Sequence, residues 1–121
     1  MILTFATGQN WLAGILDQLM AEGSFNWIIE YCNSLPALES KLRRPHPEVQ
    51  LILISINTAA ELIKLFELRA LLLDMKLIIG LPYRNDLMAF WAFKLGPRFI
   101  AYAGDDYFLL GSVIKNILQP L

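Results

Sequence analysis

Residues 49–56, Val-Gln-Leu-Ile-Leu-Ile-Ser-Ile, constrain this chain more than any other stretch. A nearly unbroken β-branched and aliphatic run offers no polar face to water, so as a strand it has to be covered on both sides. That is the environment of a parallel sheet with helices above and below. Parallel neighbours cannot be joined by hairpins and need long crossovers, so helical segments should separate the strands. At 121 residues the chain is near the commonest domain size and can bury one sizeable core, so 1–121 reads as a single domain.

Short apolar runs alternate with segments of helical period on either side of the central run. Residues 2–6 form the first strand and end at Thr7-Gly8-Gln9-Asn10; Trp11, Leu12, Ile15, Leu16, Leu19 and Met20 then recur at helical spacing until Gly23. Residues 27–32 carry one charge, Glu30, and Ser34 caps a helix through Leu35, Leu38 and Leu42 with Pro36 in its first turn. After the central run, Thr58 to Glu61 has capping-box spacing ahead of one long helix through Leu62, Ile63, Phe66, Leu68 and Leu71, with a stop only near Asp74. Residues 77–81 give a fourth strand, and Asn85 or Asp86 caps a helix from Leu87 to Leu95 that stops at Gly96-Pro97. Residues 99–103 give a fifth strand, followed by Asp105-Asp106 as caps and a helix from Phe108 to Leu118. Five strand–helix pairs imply an α/β three-layer sandwich of flavodoxin-like (βα)5 type, with a parallel sheet in order 2-1-3-4-5. Gln119-Pro120-Leu121 is an abrupt end that would suit a piece cut ahead of another domain.

Composition narrows the function. Ten Lys and Arg against eleven Asp and Glu leave a formal net charge of -1, so no global field draws nucleic acid or an anionic membrane. Hydrophobic residues make up 56% and charged ones 17%, richer in apolar residues than an average soluble domain, so either the core is large or apolar surface meets a partner. The single Cys32 has no partner for an internal disulfide, and with only His46 beside it no Cys/His metal cluster is available. A reducing, cytoplasmic setting fits best. Residues 1–16 lack charge but include Thr4, Thr7, Gly8, Gln9, Asn10 and Gly14, which gives neither a signal peptide nor a membrane span.

In an open parallel sheet the ligand crevice lies beyond the carboxyl ends of the strands. Those ends carry Ala6 and Thr7, Ser55 and Asn57, Leu81 and Pro82, and Ala103 and Gly104, none a carboxylate or an amine. The segment order, His46-Pro47-Glu48 ahead of an aliphatic third strand, and Gly96-Pro97-Arg98-Phe99-Ile100 leading into the fifth together resemble the receiver family of two-component response regulators. The resemblance spans nearly the whole chain. It implies an acidic pair after strand 1 for Mg²⁺, a phosphoryl-accepting Asp at the end of strand 3, a Thr or Ser after strand 4 and a Lys before Pro after strand 5. Aligned on strand ends, this sequence has Ala6 and Thr7, Ser55, Leu81 or Pro82, and Ala103-Gly104 instead. Phosphoryl transfer needs a nucleophilic oxygen, a divalent cation and a charge to hold the product. The resemblance is therefore to a degenerate pseudo-receiver that is not phosphorylated on Asp and is not an enzyme.

Other candidates reduce to plainer roles. Ser55 has no adjacent base to activate it. Thr7-Gly8-Gln9-Asn10 lacks both G-x-G-x-x-G spacing and a P-loop Lys, so it reads as a turn with a cap, and no flavin or other cofactor is implied. The loop of Lys41, Arg43, Arg44 and His46 suits solvent or a small acidic patch. The helix with Leu87, Met88, Phe90, Trp91, Phe93 and Leu95 is apolar around most of its circumference. With Tyr102 and Tyr107 nearby, Phe90, Trp91 and Phe93 suggest a contact surface on the face of the fourth helix, fifth strand and fifth helix, although the same aromatics would also fill a core. Two functional readings stand: a noncatalytic interaction or dimerisation module in signal transduction, and a flavodoxin-like domain holding a nucleotide or metabolite at its strand ends.

Overall fold

A computed structural model describes residues 1–23 and 26–118; the chain-end segment 119–121 lies outside the described residues. Five strands, β1 (Ile2–Phe5), β2 (Ile29–Cys32), β3 (Leu51–Ser55), β4 (Leu77–Leu81) and β5 (Phe99–Tyr102), form one parallel sheet in order β2-β1-β3-β4-β5. Helices α1 (Trp11–Ala21), α2 (Leu35–Arg43), α3 (Ala59–Phe66), α4 (Asp86–Phe93) and α5 (Tyr107–Leu118) link and follow them. The expected fold and strand order are those found. The fourth strand matches its expected bounds, while the other four are shorter than the apolar runs, and 49–56 shrinks to Leu51–Ser55. The Gln50 N–H still donates to the Met1 carbonyl at 2.8 Å, so pairing with β1 begins just outside the strand.

Strand alternation splits the core in two. Leu3, Phe5, Ile52, Ile54, Leu77, Ile79 and Leu81 pack beneath α2, α3 and α4, while Ile2, Leu51, Leu53, Ile78 and Ala101 pack beneath α1 and α5. Every residue of β1, β3 and β4 is buried, which is why the central run carries no polar alternation.

The single long helix expected after Thr58 is in fact two pieces, α3 and a separate one-turn helix at Arg69–Leu72. No glycine or proline breaks it. Leu62, Leu65 and Leu68 are all buried at spacings of three, and the chain between them tightens to bonds spanning three residues, Glu67 to Lys64 and Leu68 to Leu65. Core packing thus overrides helical propensity. Arg69 closes the break, donating to the Phe66 carbonyl at 3.2 Å with its guanidinium 4.5 Å from the Phe66 ring centre.

Candidate functional site

The crevice of this topology lies where β1 and β3 end. Thr4 and Ser55 are fully buried there on the α1 side of the sheet, and Asn10 ties them together. The Asn10 amide donates to Thr4 Oγ1 at 3.4 Å, Ser55 Oγ donates to Asn10 Oδ1 at 2.9 Å, and the same oxygen caps α1 by accepting from the Ala13 N–H at 3.1 Å. The Leu12 N–H donates to Ser55 Oγ at 3.4 Å, so the hydroxyl is occupied as both donor and acceptor. Beside this knot the Trp11 ring lies against Gly80 of β4, where an added Cβ would stand 2.6 Å from Trp11 Cζ2. Gly80 is opposite Ser55 in register, so the ring fills the space next to the β3 end. The Trp11 Nε1 is buried without a hydrogen-bond partner. That costs about 1–3 kcal/mol, against about 3–5 kcal/mol from burying most of an indole, so ring packing decides its place.

The residues singled out at the strand ends do not converge on one pocket. Ala6 and Leu81 are buried, whereas Thr7 and Ala103 are exposed. Asn57 donates from Nδ2 to the Gln9 carbonyl at 3.3 Å, latching the loop after β1 to the loop after β3. Two carboxylates reach the strand ends from flanking segments and accept from backbone amides: Glu61 from Asn57 at 3.0 Å and Asp105 from Tyr102 at 2.8 Å. Asp105 therefore does not cap α5 as the sequence suggested; Asp106 does, accepting from the Phe108 N–H at 2.8 Å. Asn85, not Asp86, caps α4 through the Met88 N–H at 3.0 Å. An open cleft of about 430 Å³ remains to the β2 side, lined by Thr7, Asn33, Ser34, Thr58, Glu61, Lys64 and apolar neighbours. Among the described residues no group of three His, Cys, Asp or Glu side chains could hold a metal ion, and no helix is long and apolar enough to cross a membrane. Of the expected basic loop, Lys41 and Arg43 in fact belong to the last turn of α2; Lys41 lies 3.0 Å from Glu30 and 3.6 Å from Glu48, and Arg43 lies 3.0 Å from Glu39, so much of that charge is answered within the chain.

The second candidate surface is α4. Met88 and Ala92 face the sheet, but Leu87, Phe90 and Phe93 are 61%, 54% and 75% exposed. Trp91 is half-buried in an edge-on contact with Phe66, ring centres 5.2 Å apart, and meets Phe90 at 5.9 Å. The Lys94 ammonium lies 4.6 Å from the Phe90 ring centre and 5.3 Å from that of Trp91. Tyr102 packs at the edge of the same core half with the Arg84 guanidinium 4.2 Å over its ring. Tyr107, grouped with these aromatics from the sequence, is placed elsewhere. Its hydroxyl donates to Glu22 Oε2 at 2.8 Å across the α1–α5 junction, because its position on α5 faces α1. Desolvation there and the Glu22 hydrogen bond push its pKa up to about 12.

Neither the family models nor the curated proteins searched contain a match to this chain. Solved structures do match. A CheY-like protein (tadZ) from Pseudomonas aeruginosa PAO1 superposes with a TM-score of 0.71 at 15% identity, over 97% of this chain and 98% of that one. A CheY-like response regulator receiver domain protein from Methanospirillum hungatei JF-1 gives 0.69 at 17% identity, over 96% and 91%. A response regulator CheY-like protein from Mesorhizobium loti gives 0.67 at 12% identity, over 96% of each chain. The chain has the fold of CheY-like receiver domains, as the sequence resemblance implied.

Proposed function

We propose that this chain is a noncatalytic pseudo-receiver, a protein-interaction or dimerisation module of signal transduction that works through its α4-β5-α5 side in the cytoplasm. The observation that carries this reading is Ser55. At the end of β3, where the resemblance implies an accepting carboxylate, stands a fully buried hydroxyl with both hydrogen-bonding roles occupied. Trp11 fills the neighbouring space, and the β1 end supplies Ala6 and Thr7 in place of acids. An unchanged intact mass after incubation with acetyl phosphate and Mg²⁺ is the expected result; a labile phosphoryl adduct would overturn the reading. The alternative, a nucleotide- or metabolite-binding domain, has the cleft beside Thr7 in its favour, and a small molecule carried into native mass spectra of the purified protein would support it.

A further inference from the structure

We propose that the partner of α4 is α4 of a second copy of this chain, laid antiparallel about a twofold axis passing beside Phe90. The inference rests on reading α4 as a contact surface and names what covers it. The outward stripe of the helix is Asp86, Leu87, Phe90, Phe93 and Lys94, all exposed. Its chemistry is symmetric about Phe90: apolar Leu87 and Phe93 stand three residues to either side, and Asp86 and Lys94 stand four to either side with opposite charge. Reversing the helix about that centre sets Phe90 on Phe90, Leu87 on Phe93, and Asp86 on Lys94 at both ends, the self-complementarity that an isologous twofold contact requires. A parallel arrangement would face like charge with like. Antiparallel packing also opposes the two helix dipoles, whose positive ends already carry Asp86. Lys94 lies over the Phe90 ring and so sits at the rim of the apolar patch, where a carboxylate from the second copy can reach it.

So short a helix pair buries less than the roughly 800 Å² per partner of a standard interface, so association should be weak and visible at high concentration. Sedimentation equilibrium up to about 1 mM protomer is the measurement. Asp86→Lys sets lysine against lysine and Lys94→Asp sets acid against acid, so each variant alone should self-associate about 10-fold more weakly than the parent chain, or not at all. Mixed in equal amounts they should pair with wild-type affinity, since both contacts of the heterodimer become complementary again. Circular dichroism confirms that each variant is folded. A wild-type chain that stays monomeric overturns the second copy as occupant. A dimer lost in Phe93→Ser but indifferent to the charge changes overturns the antiparallel arrangement and leaves the α4 surface standing. A dimer indifferent to all three changes overturns the surface as well.

Discussion

Replacing Gly80 by alanine tests whether Trp11 closes the strand ends by packing. The new Cβ would lie 2.6 Å from Trp11 Cζ2, 2.8 Å from Leu12 Cδ1 and 3.1 Å from Leu12 Cγ. Carbon atoms settle near 3.5–4.0 Å, so roughly 1 Å of retreat is required. Leu12 is fully buried, and both residues open α1, so the helix start has to lift. Lifting it stretches the contacts of Asn10 and the Leu12 N–H to Ser55. Overpacking of this kind costs about 1–3 kcal/mol, while exchanging a strand glycine for alanine returns about 0.5–1 kcal/mol of unfolded-state entropy. The net expectation for Gly80→Ala is a loss of about 1–2 kcal/mol, read as a lower urea midpoint and a Tm reduced by roughly 3–10 °C. Trp11→Leu should remove part of the clash, so the Gly80→Ala, Trp11→Leu double mutant should show a coupling energy of about 1 kcal/mol. Gly80→Ala at or above wild-type stability, or additivity of the pair, would refute the reasoning.

Two further outcomes follow from contacts described above. Asn85→Ala removes the cap on α4 and should lower stability by about 1 kcal/mol in urea unfolding; no change would mean the Asn85–Met88 hydrogen bond contributes nothing to holding the helix. Glu22→Gln should bring the phenol of Tyr107 down from about 12 toward the usual tyrosine range, seen in its ultraviolet phenolate titration. Because the folded pKa lies above the unfolded one, the stabilisation is complete below the ordinary tyrosine pKa of 10.0 and is lost as pH rises through about 12, so an identical alkaline stability profile in Glu22→Gln would contradict the assignment.

The parallel sheet was legible because burial on both faces leaves a direct mark, as in the aliphatic stretch around β3. The break between Phe66 and Arg69 was not, since it arises from the demand of three buried leucines and not from a local breaker. Tyr107 was misplaced because nearness in sequence to Tyr102 says nothing about which side of a helix a residue occupies. That the strand-end residues themselves carry no carboxylate could be read directly, but neither the closure nor the reach of Glu61 and Asp105 to those ends could. A glycine inside a strand and a threonine and a serine inside apolar runs were its sequence signals, and none of them names Trp11 or Asn10 as the group that meets them. The exposed stripe of α4 was half legible: its all-round apolarity was plain, but which aromatics face solvent depends on where Met88 and Ala92 meet the sheet.

The knot of Asn10, Thr4, Ser55 and the Leu12 amide contains no group that ionises. A pocket of clustered carboxylates is held under like-charge repulsion until a cation or proton relieves it, so it behaves as a loaded spring. Here the knot itself is neutral, so its own hydrogen bonds carry no like-charge repulsion for salt or a proton to relieve. On the proposed pseudo-receiver reading, an input would find no charge to neutralise within this knot and would have to act through other contacts of the domain.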